Sequence, residues 1–188
     1  MHWNGGPRDH SRMLRYLSIF LVATLAACGE TPPAQAPLSM HDLAQQGETE
    51  KLLQLIDPEH PVDHRDVCAR TPLMLAAQYG HRDTVTQLLA VGAGVDLREH
   101  GEYTALMLAA GSGHVEVVRQ LAAAGAAIDQ VETTRGWTAL IWAAVNGHRE
   151  TVQALLELGA DRRVRDRDGR TAQAWAAAQG HPEIAALL

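Results

Sequence analysis

Apolar residues are laid out in two different ways along this chain. Leu17 to Ala27 form a nearly unbroken apolar run, whereas from Met40 onward apolar residues come in short clusters separated by polar, glycine-containing breaks. The second part repeats itself. The pair Gly-His occurs at Gly80-His81, Gly113-His114, Gly147-His148 and Gly180-His181, at intervals of 33, 34 and 33 residues, and threonine follows the same rule at Thr71, Thr104, Thr138 and Thr171. Two independent markers sharing one period over four copies define a repeat, and each copy predicts two helices. The threonine hydroxyl suits the position that accepts a bond from the exposed N–H groups opening a helix, and Pro72 suits the first turn, where its missing N–H costs nothing. Gly80, Gly113, Gly147 and Gly180 end that first helix in a left-handed residue. Asp83, Glu116, Glu150 and Glu183 then fall in the positive first turn of a second helix, closed by Gly92, Gly125 and Gly159 in three of the copies. The Ala-Ala pairs at 76/77, 109/110, 143/144 and 176/177 make a face along which helices can approach closely. Val85, Val118 and Val152 with Leu88, Leu121 and Leu155 fill the layer behind it. No single helix pair buries its own apolar face, so the units must stack.

Aligned by this period, the copies read RTPLMLAAQYGHRDTVTQLLAVGA, YTALMLAAGSGHVEVVRQLAAAGA, WTALIWAAVNGHRETVQALLELGA and RTAQAWAAAQGHPEIAALL. They resemble the ankyrin repeat. The resemblance is strong over residues 67–188 and weak over 38–66, where DLAQQGETEKLLQLI keeps the same register. It implies an all-α solenoid of about five helix-turn-helix units joined by short β-hairpin fingers. The units are a degenerate N-terminal capping repeat at 38–66, full repeats at 67–99, 100–133 and 134–166, and a C-terminal capping repeat at 167–188, in which Gln173 replaces a core leucine. Asp168-Gly169 is a tight-turn signal in one finger. Gly101 stands one residue early before Thr104, which predicts a distorted finger at 98–103.

The apolar run at the N-terminus is about half the roughly 20 residues a spanning helix needs. It follows Arg8, Arg12 and Arg15 and ends in small residues, the pattern of a signal peptide over residues 1–27. Met13 also opens a complete segment of this kind. The closing Leu25-Ala26-Ala27-Cys28 resembles the lipobox of bacterial lipoproteins. That resemblance implies that Cys28 becomes the lipid-bearing first residue of the mature protein. Residues 28–39, with Pro32, Pro33 and Pro37, read as a semi-extended tether. Gly29 after the cysteine resembles a sequence sorted to the outer membrane, facing the periplasm.

Removing residues 1–27 lowers the basic residues from 16 to 13 and the acidic ones from 22 to 21, for a net charge of −8. Such a body has no global attraction for nucleic acid or anionic lipid, so membrane attachment falls to the acyl chains. With Cys28 committed to the anchor, Cys68 has no partner for an intramolecular disulfide.

Chemistry is sparse. Four of the ten histidines belong to the Gly-His pairs, and helices packed about 8–10 Å apart hold them too widely for one ion, whose nitrogen ligands must lie about 2 Å from it. The ankyrin resemblance gives these histidines a structural role. His60 and His64 sit in a loop broken by Pro58 and Pro61. No nucleophile-elbow, Walker or zincin motif occurs, so the reading is not an enzyme, with no cofactor, no metal and no small-molecule substrate. Cys68, near Arg65 and Arg70, and the histidines are all that a further alternative, a thiol- or metal-dependent protective enzyme, has to rest on. The arginine-rich finger Arg162, Arg163, Arg165, Arg167 and Arg170 is interleaved with Asp161, Asp166 and Asp168.

What remains is a surface. Ankyrin proteins bind partners through finger tips and the exposed side of the first helix of each pair. By that resemblance the partner-binding residues are Arg70, Gln78, Tyr79, Tyr103, Arg135, Trp137, Asn146, Arg167 and Arg170, with Val67, Cys68, Ser112 and Gln179 at equivalent places. Tyr103 and Trp137 are the expected aromatic anchors. The competing reading for both is packing against the adjacent finger. Trp142 and Trp175 occupy the core position held by Leu75 and Leu108. The function expected is that of a monomeric, lipid-anchored envelope scaffold for one protein partner. An immunity-type inhibitor of a specific toxin or enzyme is the narrower alternative for the same surface.

Overall fold

The structure is a computed structural model that describes residues 38–188; Cys28, the signal-like segment and the tether through Pro37 lie outside the described residues. Ten helices follow in five pairs: α1 (Met40–Gln46) and α2 (Thr49–Gln54), α3 (Pro72–Gln78) and α4 (Arg82–Ala90), α5 (Ala105–Gly111) and α6 (Val115–Ala123), α7 (Ala139–Val145) and α8 (Arg149–Glu157), α9 (Ala172–Ala178) and α10 (Pro182–Leu187). The first helices of the pairs pack on one another in sequence, and so do the second, giving two helical layers. None of the described helices is long and apolar enough to cross a membrane.

The local reasons are those the pattern predicts. Thr71, Thr104, Thr138 and Thr171 each stand before a first helix in extended backbone and accept the N–H three residues on. In the N-terminal unit Ser39 does the same and Asp42 returns a bond to the Ser39 N–H, a complete capping box. Ala76, Ala77, Ala109, Ala110, Ala143 and Ala144 are fully buried between neighbouring first helices, and Val85, Leu88, Val118, Leu121, Val152 and Leu155 are fully buried behind them. In the last unit Gln173, Ala174 and Ala177 are exposed, because no further pair covers that face among the described residues.

The Gly-His pairs tie unit to unit. The Nε2 atoms of His81, His114 and His148 lie 2.7, 3.0 and 3.0 Å from the carbonyl oxygens of Gln45, Gln78 and Gly111 in the preceding unit, so each imidazole donates backwards across the joint. The glycine is required twice over. Gly80 has φ 77°, and a Cβ there would stand 2.6 Å from the His114 ring. A second ladder runs forward: carboxylates of Asp63, Asp96 and Asp129 accept the N–H groups of Gly94, Ala127 and Asp161, each at 3.0 Å.

The fingers differ from expectation. No β-strand forms among the described residues. Each finger is closed by two backbone bonds, one from the N–H of Asp66, Glu99, Glu132 or Asp166 to the carbonyl of Arg70, Tyr103, Trp137 or Arg170, and one from the N–H of Ala69, Glu102, Gly136 or Gly169 back to the carbonyl of the same acid. The turn between is too short for a ladder, and the acid that opens it takes the next N–H groups for its own carboxylate. Neighbouring fingers touch through His100 N–H to the Cys68 carbonyl at 3.0 Å and Arg167 N–H to the Arg135 carbonyl at 2.9 Å. The finger at 98–103, expected to be distorted, closes over the same spacing as the first finger: its left-handed residue is Glu102, with φ 66°, as Ala69, with φ 61°, is in the first, where the later fingers have Gly136 and Gly169. A salt bridge of 2.7 Å from Arg98 to Glu102 accompanies this uncommon backbone for a side-chain-bearing residue.

Candidate functional site: the finger and first-helix face

Across the last three units the finger and first-helix positions build one aromatic strip. Tyr103 meets Trp142 edge-on at 5.5 Å between ring centroids, Trp142 meets Trp137 at 4.8 Å, and Trp137 meets Trp175 at 5.1 Å. These edge-to-face geometries suit the ring quadrupoles. Two cations border the strip: Arg135 lies 4.7 Å from the Trp137 centroid, and Arg170 lies 4.7 Å from that of Trp175.

Burial reverses the expected roles of the tryptophans. Trp137, expected as an exposed anchor, is only 5% exposed, and its indole N–H donates to Asp166 at 3.2 Å. It is a packing residue. Trp142 and Trp175, expected in the core, are half-buried and line surface pockets. The cause is local: Trp137 precedes the cap Thr138 and Trp142 is the fourth residue of α7, so the two form the apolar clasp that fixes how a chain enters a helix. Arg170 and Trp175 hold the same two places at α9 and replace the apolar clasp with a cation on a ring. The five-residue spacing of Trp137 and Trp142 around a helix cap was the sequence signal for this arrangement.

A pocket of about 230 Å³ opens at the Tyr103 end of the strip, lined by Gln78, Tyr103, Met107, Leu108, Gly111, Ser112, Trp142 and Asn146. Its floor exists because Gly111 has no side chain where the other units have Gln78, Val145 and Ala178. A Cβ on Gly111 would meet Trp142 at 3.5 Å and Asn146 at 3.6 Å, which is ordinary contact. Asn146 donates to the Gly111 carbonyl at 2.8 Å and so forms part of the wall.

The other expected contact residues are placed as follows. Tyr79 is 47% exposed, and Arg135, Asn146, Arg167 and Arg170 are exposed. Gln78 and Tyr103 are half-buried at the pocket. Arg70 is drawn back to Asp66, with N···O distances of 2.7 and 2.8 Å, and is less available than its sequence position implied. Cys68 is a free, exposed thiol, but Arg70 is engaged by Asp66 and Arg65 by the Arg98 carbonyl. His60 bonds Asp57 in its own loop, and His41, buried in α1, reaches the carbonyls of His64 and Arg70, both at 3.0 Å. No group of three potential metal ligands forms among the described residues.

The role of the acids at the finger mouths, of which the sequence reading names Asp166 alone and only as a neighbour of arginines, is not apparent from the sequence pattern. Asp66, Glu99, Glu132 and Asp166 recur at 33, 33 and 34 residues, the same period as the markers that were read. Glu132 has no exposed surface and accepts the N–H groups of Thr134, Arg135 and Trp137. Burial pushes its carboxyl up, but these N–H bonds, that of Trp137 foremost, outweigh it and hold the group below its ordinary value. Asp166 is lowered in the same way: burial raises it, while the Arg170 N–H, both indoles and the Asp168 N–H favour the anion.

A family model described as ankyrin repeats (3 copies) matches residues 40–132 and 120–188. The chain belongs to the ankyrin-repeat family. No curated protein matches the sequence. Ankyrin repeats are protein-interaction scaffolds and typically carry no catalysis, which agrees with a face built from packed aromatics, free cations and an open apolar pocket.

Proposed function

We propose that this ankyrin-repeat protein is a lipid-anchored scaffold of the bacterial envelope, facing the periplasm, that holds one partner protein on its finger and first-helix face. The pocket opened by Gly111 carries the reading. It presents a half-buried tyrosine and tryptophan with polar groups at the rim, the composition of a site that accepts one side chain of a protein ligand. The same unit would pack without it if Gly111 carried a side chain.

The test is photo-crosslinking in cells. With the crosslinking residue at Tyr79 or Ser112, a discrete protein adduct is expected, and with it at Gln87 on the outward side of α4, none. Gly111→Gln should abolish the adduct while leaving thermal stability equal or higher, because glycine is a poor helix residue by about 1 kcal/mol. Equal adducts from all three positions, or an adduct indifferent to Gly111→Gln, would place the binding surface elsewhere.

The anchor is supported by the sequence before Cys28 and the proline-rich tether after it. Cys28→Ala should release the protein from the membrane pellet and abolish fatty-acid labelling; a variant that still pellets with label refutes the anchor. Recovery of the wild type only from inner-membrane fractions would refute the outer-membrane assignment.

A further inference from the structure

The first and last fingers share one motif, Asp66-Val-Cys-Ala-Arg70-Thr and Asp166-Arg-Asp-Gly-Arg170-Thr, yet their arginines do different things. In the first, Oδ1 of Asp66 accepts the turn N–H groups and Oδ2 binds the Arg70 guanidinium at 2.7 Å. In the last, Oδ1 of Asp166 accepts the same turn N–H groups, but Oδ2 accepts the indole N–H of Trp175 at 2.6 Å and that of Trp137 at 3.2 Å. The carboxylate is saturated by tryptophan. Arg170 is left over the Trp175 ring with no acidic partner, and Arg135 and Arg167, joined through the bond between their fingers, likewise form no ion pair among the described residues.

This concentration of uncommitted cations is local. The whole chain has a net charge of −6, and Arg98 in the second finger is paired with Glu102. Around the third and fourth fingers the nearby acids are consumed: Glu132 is buried under backbone N–H groups and Asp166 under indoles, leaving Asp168 as the one exposed carboxylate at the surface pocket that Arg135, Arg167 and Trp175 line. Arginine over an aromatic face offers a planar fork of donors matched to a carboxylate.

We infer that this end of the face is a carboxylate-reading site, and that the partner's docking segment is an acidic peptide stretch whose Asp or Glu side chains lie on Arg135, Arg167 and Arg170. The inference rests on the scaffold reading and names the chemistry of its partner. The tryptophans act as positioning residues: by occupying Asp166 they keep Arg170 from the internal pair that Arg70 makes. Charge complementarity commits the site to an acidic segment, since a basic one would meet three like charges.

A displayed library of random peptides, selected on the full chain, tests it. Peptides enriched in Asp and Glu are expected, and their affinity should fall roughly tenfold or more in the Arg135→Ala, Arg167→Ala, Arg170→Ala triple variant and when peptide Glu is replaced by Gln. Trp175→Phe keeps an aromatic ring but removes the shorter of the two indole bonds on Asp166 Oδ2, leaving only the longer one from Trp137 to compete with Arg170, and should weaken the same peptides with little change in melting. Acidic peptides indifferent to the arginines or to Trp175→Phe would overturn the inference. Neutral or basic peptides whose binding is lost in Gly111→Gln would overturn it too, while leaving the scaffold reading intact. Failure to select any peptide would count against both.

Discussion

Trp137→Ala is expected to destabilise the protein by about 3–5 kcal/mol, the cost of deleting a buried large aromatic from a site that cannot collapse. The ring is held edge-on between Trp142 and Trp175, and its N–H is one of two indoles on the Asp166 carboxylate. Removing it opens a cavity at the joint between the third and fourth repeats and strips a donor from a buried anion. The melting temperature should fall by on the order of 10 °C. Tyr103→Ala, at a half-buried ring beside an open pocket, should cost markedly less. Melting of Trp137→Ala within a degree or two of wild type would mean the ring is not packed as described and would return it to the list of partner contacts.

Replacing Glu132 should have the second largest effect, and its size should depend on pH. In Glu132→Ala three N–H groups, of Thr134, Arg135 and Trp137, lose an acceptor that has no exposed surface, a loss of about 3 kcal/mol at neutral pH. The folded carboxyl is held below its ordinary 4.5, so its stabilising contribution is complete above that value and is lost as pH falls through the lower folded value. The stability gap between wild type and Glu132→Gln should therefore be widest near pH 7 and close as the solution is acidified below about pH 4. Denaturant titrations of both proteins from pH 7 to pH 3 measure that gap. A gap that stays constant, or widens with acid, would show that the carboxylate is not the species the finger stabilises.

The architecture was legible because its determinants are local and periodic. A threonine that caps, a glycine that reverses the chain and a histidine that reaches back act within or between adjacent units, so each leaves a mark every 33 or 34 residues. The site was less legible because it depends on where a side chain turns after the backbone is set. Trp137 and Tyr103 occupy the same register and each meets a tryptophan of the next unit, Trp175 and Trp142, but only Trp137 also has a tryptophan of its own unit, Trp142, packed against it, where the Tyr103 unit has Leu108. Arg70 and Arg170 also share a register, and they separate only because two indoles compete for Asp166 and none for Asp66. Such competition depends on residues in neighbouring units and is invisible to an alignment of single copies. The finger acids are less legible for a simpler reason: they keep the same period, but in turns, where no helix boundary marks them.

The backward histidine bonds and forward aspartate bonds share one topological property. No side-chain hydrogen bond among the described residues spans more than 38 positions, so every one closes within a unit or between immediate neighbours. The molecule is thus a series of like joints, and inserting or excising one period between the first two full repeats would leave the same kinds of joint closed on either side. The C-terminal part lacks that freedom. Tyr103 is matched to Trp142, and Trp137 to Asp166 and Trp175, so these units are ordered with respect to one another as well as stacked. Length is adjustable at one end of this protein, and sequence order is fixed at the other.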